Sequence, residues 1–248
     1  MSDSYTFGDS ALARERLGIV AETFETPTRA LIADLPPSFV RYVIDVGCGP
    51  GYTSALLADA FPMAPITGFD LSPAMLEEAR ARVPRATFVR ADITKPLKLP
   101  ADVLFARLVL GHVRDPHAVM DTWARSLRPG SGTMVCEEPL RFGMPDEWFE
   151  RYEAAVASVI AGGGGSGLGG EALDHTPFDT ERSIDRVVEH PVPVTRAAAM
   201  FWRNAVQWGD QVPDGTALVD HFRALERSDD DRVVTWQLRQ ATYVRRRG

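Results

Sequence analysis

The stretch Val43–Gly51, VIDVGCGPG, constrains this chain more than any other. Val43, Ile44 and Val46, with Tyr42 before them, have the apolar and partly β-branched character of a buried strand. The run then breaks into Gly47, Cys48, Gly49, Pro50 and Gly51, and a helical pattern follows from Thr53 to Ala60. Glycine lets a backbone turn sharply and approach a ligand with no Cβ in the way, and a helix N-terminus presents free N–H groups. Strand, glycine turn and helix in this order make a cofactor-binding device of the α/β type.

Two cofactor classes compete for such a turn. A dinucleotide site wants G-x-G-x-x-G, with a third glycine where helix and strand pack closely. Gly47 and Gly49 fit that pattern, but Tyr52 occupies the third position and is too bulky for it. The glycines instead read D-x-G-x-G-x-G over Asp45, Gly47, Gly49 and Gly51, with Cys48 inside the turn. An acid here suits a ligand carrying an amino group and a sulfonium better than a pyrophosphate. The pattern resembles motif I of the class I S-adenosylmethionine (SAM)-dependent methyltransferases. That resemblance implies SAM as cofactor, S-adenosylhomocysteine as product, and a Rossmann-like α/β fold. The expected sheet has seven strands, mostly parallel with an antiparallel last strand, and helices on both faces.

The following units extend the resemblance over about residues 40–140. A second strand, Ile66–Phe69, ends in Asp70, 25 positions after Asp45 and close to the spacing at which a carboxylate meets an adenosine ribose. Ser72-Pro73 then offers an N-cap and a proline at the first helical position. The segment Phe69–Arg80, FDLSPAMLEEAR, resembles the family's motif II, which makes Leu71 an apolar wall for the adenine. In Ala86–Ile93, ATFVRADI, the family places an acid against the adenine amino group and the next backbone N–H against the ring, roles that fall to Asp92 and Ile93.

A fourth strand lies within Val103–Leu110, VLFARLVL, and is nearly continuous in apolar residues, as a central parallel strand is. Arg107 interrupts it. A buried lone charge is costly, so Arg107 is expected at the ligand-facing carboxyl end of the strand. LGHVRDP leads into a helix capped by Asp115 with Pro116 in its first turn, and Gly132–Glu138 is the fifth strand. The run Leu127–Pro139, LRPGSGTMVCEEP, is again family-like. His112 is the candidate general base, since its ordinary pKa is near neutral. The resembling proteins often carry this histidine whatever their substrate, which favours a structural or cofactor-contact role. Glu137 and Glu138 are expected to contact substrate or to flank the turn.

Outside this core the reading is in outline. Residues 1–40 form a helical lid, with Asp9 or Ser10 as a cap, a second helix opening at Thr26-Pro27, and Pro36-Pro37 ending it. Tyr5 and Phe7 stand ahead of the first helix, where an aromatic lid over the cleft is expected. Glu147–Ala161 is helical, with Trp148, Phe149, Tyr152 and Val156 along one stripe, which reads as core or as part of a substrate cap with Trp148 a candidate substrate contact. GGGGSGLGG over residues 162–170 is flexible by composition, either a disordered loop or a lid hinge. Residues 171–183 read as a short helical connection, Arg186–Val194 as strand six and Val233–Val244 as strand seven. Between those strands, 195–231 is a helical excursion in which Trp202, Arg203 and Trp208 are candidate substrate contacts. Arg203 in particular could pair with a substrate carboxylate.

The expected organisation is one domain over 1–248, with a cofactor core at 41–138 and substrate-cap insertions at 139–183 and 195–231. The chain has 248 residues and a formal charge of −7, a balance that disfavours nucleic acid or an anionic membrane as partner. No apolar run of about 18 residues marks a membrane span, and MSDSYTFGDS lacks the features of a signal peptide. Two cysteines, Cys48 and Cys136, read as buried thiols of a cytoplasmic enzyme rather than a disulfide framework. No metal is expected. The residues thus point to methyl transfer by in-line displacement to a small organic acceptor on oxygen, nitrogen or carbon, with the oligomeric state left open. The rivals are a tRNA or protein methyltransferase, a SAM-binding enzyme of another reaction, and a non-catalytic SAM-binding protein.

Overall fold

Strand β1 (Val43–Val46) is buried along its whole length and pairs in parallel on both sides, with β2 (Ile66–Asp70) and β4 (Val103–Arg107). In this computed structural model, which describes residues 10–35, 40–163 and 165–247, β1 is the middle of a run of five parallel strands. β3 (Thr87–Arg90) extends it beyond β2, and β5 (Thr133–Arg141) extends it beyond β4. The full order is β3-β2-β1-β4-β5-β7-β6, and β7 (Val233–Arg245) runs antiparallel to both β5 and β6 (Thr180–Pro193). The seven-stranded sheet with its antiparallel last strand is as the sequence implied.

Helix ends follow local chemistry. The Ser10 hydroxyl accepts the Ala13 N–H at 3.2 Å and opens α1 (Ala11–Thr23), which is followed by α2 (Glu25–Ala33). Gly51 caps α3 (Tyr52–Ala60). Ser72 caps α4 (Pro73–Arg82) and Asp115 caps α5 (Pro116–Ala124), each with proline in the first turn. The proposed cap at Asp9, the aromatics Tyr5 and Phe7, and the Pro36-Pro37 stop lie outside the described residues.

Three apolar clusters hold the layers together. On one sheet face Val43, Phe105 and Val135 pack against Leu31, Leu57 and Leu76 from α2, α3 and α4. On the other, Ile44, Leu104, Met134 and Tyr243 pack against Trp123 of α5. The third cluster lies under α6 (Glu147–Gly163), α7 (Val194–Trp208) and α8 (Gly215–Glu226), with Tyr152, Phe201, Phe222 and Trp236 at its centre. No helix among the described residues is long and apolar enough to cross a membrane.

The expectations for two segments need correcting. Residues 171–183 are a helical connection only at their start: a short 3-10 turn at Gly169–Asp174 gives way to β6, which starts at Thr180 rather than Arg186. Thr180–Arg186 is charged and weak in strand propensity, but it completes a ladder with the long β7, from Thr180 opposite Arg245 to Pro193 opposite Val233. Tertiary pairing overrides local preference there. The strand β5 also continues past Glu138 to Arg141, with a register shift between Pro139 and Arg141.

Candidate active site

The carboxyl ends of β1, β2 and β4 open onto a cavity of about 320 Å³. Gly47, Cys48 and Gly49 of the glycine turn line it, facing Asp70 and Leu71 from the end of β2. Asp92 and Ile93, after β3, Arg107, at the end of β4, and His112 complete the set of predicted residues on its wall. The Asp70 carboxylate braces the turn: Oδ2 accepts the Gly49 N–H and Oδ1 the Ser72 N–H, both at 2.9 Å. Burial raises its pKa, while those N–H groups lower it. Asp92 accepts the Thr94 N–H at 2.9 Å and the Thr94 hydroxyl at 2.6 Å on Oδ1, which lowers its pKa. The Ile93 carbonyl accepts the Trp123 indole N–H at 2.8 Å, which pins that loop to α5.

Asp45 and Gly51 belong to the glycine motif but do not line this cavity. Asp45 is buried beneath the turn and accepts the Ser54 hydroxyl at 2.5 Å. Burial pushes its carboxyl up to about 7, against the pull of Ser54 and of Arg107. Gly51 has φ +83°, and a Cβ there would lie 2.9 Å from Ala79 Cα, so it serves the close approach of α3 to α4. The tight-packing role that the dinucleotide pattern gives to its third glycine is taken here by Gly51, one position earlier than Tyr52.

Asp45, Arg107 and Glu137 form a row of charges on neighbouring strands, with Arg107 opposite Glu137 in the β4–β5 register. Burial lowers the Arg107 pKa and raises that of Glu137, and each charge opposes the shift of the other. The Arg107 Nη1 donates to Thr28 Oγ1 at 3.2 Å, and Gln240 Nε2 donates to Glu137 Oε1 at 2.7 Å. Adjacent strand residues face opposite sides of a sheet, so Glu138 does something different. Its Oε1 accepts the backbone N–H groups of Val109 and Leu110, at 2.8 and 2.9 Å. Burial pushes this carboxyl up to about 8, with Glu137 adding to the shift and the two N–H groups opposing it.

Glu138 lines a second cavity of about 370 Å³, beneath the cap helices. Its walls are mostly apolar and include the aromatic rings of Phe24, Phe142, Phe149, Tyr152, Phe201 and Trp236. Arg16, Val20, Leu108 and His112 line both cavities and form the partition between them. Leu108, at the end of β4, has φ +57°, a strained backbone of the kind that concentrates at functional sites. Burial and the nearby Arg16 push His112 down to about 4, so its imidazole is neutral at physiological pH.

The remaining predicted contacts lie elsewhere. Trp148 stacks on His221, with ring centroids 5.3 Å apart, and lines neither cavity. Trp202 donates its indole N–H to Glu226 Oε2 at 2.6 Å. Arg203 pairs with Glu226 at 3.0 Å and Glu15 at 3.4 Å, so internal carboxylates engage the guanidinium that the sequence offered to a substrate carboxylate. Trp208 packs against Tyr152, with centroids 5.5 Å apart. Tyr5 lies outside the described residues. Where it is described, the Gly-rich run packs against the core. Ser166 donates its N–H to Gly111 O at 3.1 Å, and Gly167, Leu168 and Gly169 line the second cavity. A Cβ on Gly169 would collide with the Glu138 carboxylate. Sequence reasoning did not assign Arg16 or Asn204 to a wall. Arg16 carried one signal, its place among the apolar residues Leu12, Leu17 and Val20 of the first helix, and Asn204 carried none; Leu108 directly follows Arg107, at the strand end where ligand contacts were expected.

Residues 14–190 match the family described as a methyltransferase domain. The chain is 33% identical over 201 residues to a trans-aconitate 2-methyltransferase of Methylobacterium radiotolerans, across 80% of this chain and 73% of that protein. It is 39% identical over 134 residues to a trans-aconitate 2-methyltransferase of Escherichia coli, across 54% of this chain and only 50% of the relative. Phosphoethanolamine N-methyltransferase 2 of Haemonchus contortus, solved with phosphomonomethylethanolamine and S-adenosylhomocysteine, superposes with a TM-score of 0.58 at 19% identity. That superposition covers 94% of this chain and 58% of the other.

Proposed function

Since the chain belongs to the class I SAM-dependent methyltransferases, we propose that it moves a methyl group from SAM in the first cavity to a small organic molecule in the second. The observation that carries this reading is the partition: Arg16, Val20, Leu108 and His112 line both cavities, so ligands in the two would meet across it.

The residues of the first cavity fit the cofactor by their chemistry. Asp70 uses one lone pair on each oxygen for the turn and retains others for the ribose hydroxyls. Asp92 Oδ2 is left for the adenine amino group, since Thr94 engages Oδ1, and Leu71 and Ile93 supply apolar surface for the ring. Arg107 supplies a positive charge for the methionine carboxylate. When bound, the cofactor supplies an electrophilic methyl on a sulfonium with a good leaving group, so that placement accounts for much of the rate. His112, neutral and a weak base at about 4, serves as partition rather than as proton acceptor.

A formal charge of −7 supports a small molecule rather than nucleic acid or an anionic membrane surface as partner. Cys48 and Cys136 are free and buried, in keeping with a cytoplasmic setting. We read the chain as one domain in which the N-terminal helices and the 139–183 and 195–231 segments enclose the acceptor.

Calorimetric titration with S-adenosylhomocysteine, run beside NAD and NADP, tests the cofactor. Binding of S-adenosylhomocysteine alone is expected. Binding of a nicotinamide cofactor, or failure of S-adenosylhomocysteine to bind, overturns the reading.

A further inference from the structure

The two oxygens of the Glu138 carboxyl have different surroundings. Oε1 accepts the backbone N–H groups of Val109 and Leu110, at 2.8 and 2.9 Å, and so holds the turn after β4. Oε2 has no hydrogen-bond partner among the described residues. It lies beside Gly169, which lines the second cavity with Glu138 and whose lack of a Cβ gives that oxygen its room. Glu138 is 1% exposed, so what Oε2 meets is the cavity rather than bulk solvent.

A carboxyl in this setting keeps its proton. Burial penalises the charged form, and a nearby cation is what ordinarily offsets the penalty. Among the described residues the charge that bears on Glu138 is that of Glu137, next to it on β5 and of like sign. Arg16 from α1, His112 from the turn after β4, and Tyr152 and Glu153 from α6 share the cavity walls, but none of them forms an ion pair with it. The carboxyl is accordingly pushed up to about 8. An oxygen that takes two N–H donors is the carbonyl-like one of a protonated carboxyl, so the proton rides on Oε2. The group that opens onto the cavity is therefore an O–H, and a buried donor left without an acceptor is costly.

We propose that the molecule methylated by this chain presents a carbonyl-type oxygen, that of a ketone, ester, amide or carboxylate, to the Oε2–H of Glu138; this rests on the second cavity being the acceptor site. Glu138 is then a specificity-determining residue with two tasks. Its Oε1 fixes the turn that carries the partition, and its Oε2–H selects molecules that can accept a hydrogen bond at that point. Phe142, Phe149, Phe201 and Trp236 supply apolar surface for the rest of the molecule.

Equilibrium dialysis of the full chain near neutral pH, saturated with S-adenosylhomocysteine, tests this with 2-acetylnaphthalene and 2-isopropenylnaphthalene. The two probes share one outline and differ in a C=O against a C=CH2, so only the first can accept a hydrogen bond. The ketone should be retained about tenfold more tightly than the alkene, the effect of satisfying one buried donor. Glu138→Gln should keep that preference, because an amide N–H stands where the O–H stood and its carbonyl can still take the two backbone donors. Glu138→Leu should bring the probes to near equality, with S-adenosylhomocysteine binding as the check that each variant folds. The proposal is overturned if the wild-type chain retains the two probes equally, prefers the alkene or retains neither, outcomes that need no variant. It is also overturned if folded Glu138→Leu keeps the preference or folded Glu138→Gln loses it. Failure of S-adenosylhomocysteine to saturate the chain would be seen before any probe is added, and would remove the methyltransferase reading instead.

Discussion

Thr28 on α2 and Glu137 on β5 stand 109 positions apart and meet at 2.5 Å between Oγ1 and Oε2. The same hydroxyl lies 2.7 Å from the Phe24 carbonyl and accepts from Arg107. A hydroxyl has one proton, so it serves Phe24 or Glu137 at a given moment. A proton carried by Glu137, whose pKa burial raises, would satisfy the second contact. Through this contact α2 is fastened to the end of the sheet beside the charge row.

Thr28→Val removes the hydroxyl and keeps the shape. It should cost about 1–3 kcal/mol, the penalty of leaving a buried polar partner unsatisfied. Thr28→Ser should recover most of that. Urea denaturation of the three proteins decides it, and equal stability of Thr28→Val and wild type would mean the contact carries no net energy.

Asp70→Ala deletes both the proposed ribose acceptor and the brace of the glycine turn. A charge-assisted hydrogen bond contributes about 1.5–3 kcal/mol, so affinity for S-adenosylhomocysteine should fall about ten- to hundredfold. Unchanged affinity in a folded variant would take Asp70 out of the cofactor site.

Gly49 and Gly51 should separate ligand binding from folding. A Cβ at Gly51 meets Ala79 Cα at 2.9 Å, whereas one at Gly49 meets nothing within 4 Å. Both have positive φ, so each alanine carries about 1–2 kcal/mol of backbone strain. Gly51→Ala should add about 1–3 kcal/mol of overpacking. Gly49→Ala should instead place its methyl in the first cavity and, if that cavity holds the cofactor as proposed, weaken S-adenosylhomocysteine binding. Equal losses of stability in the two variants would refute the division.

Glu138 ties stability to pH. Its carboxyl is pushed from an ordinary 4.5 up to about 8 by burial, so the folded chain holds this proton while the unfolded chain releases it. The neutral group's contribution is complete below 4.5 and is lost as pH rises towards 8. The wild-type advantage over Glu138→Gln should therefore shrink between those limits and level off above them. Denaturation at a series of pH values gives the curve, and a flat difference would place the group's pKa near its ordinary value.

His112 should behave in the opposite sense. Its pKa is pushed from 6.5 down to about 4, so the neutral ring's contribution is present above 6.5 and is lost as pH falls through 4. His112→Asn should lack this acid sensitivity. Identical acid profiles for variant and wild type would show that the ring is not buried as described.

The residues that the sequence made legible act through local geometry. The β1 turn, the Ser72-Pro73 and Asp115-Pro116 helix starts, and the acids at the ends of β2 and β3 each depend on a few consecutive residues. Spacing, together with the family resemblance that it carries, therefore pointed to Gly47, Asp70, Leu71, Asp92 and Ile93, and all five line one cavity. Within the same motif, Asp45 and Gly51 looked like ligand contacts because spacing cannot tell a residue that faces a ligand from one that supports the turn.

Beyond β5 the deciding contacts are long-range. Trp148, Trp202 and Arg203 had the chemistry of substrate contacts, but partners far along the chain, His221, Glu226 and Glu15, claim them. Glu138 and Gly169 meet only because the Gly-rich run folds back over the end of β5. Sequence by itself determined the strand–turn–helix frame and the residues at the strand ends that wall the first cavity, since backbone freedom, capping and side-chain alternation operate over a few residues. Tertiary structure alone decided the second cavity, because its walls join residues far apart in the chain, from Phe24 to Trp236, whose meeting no local rule fixes.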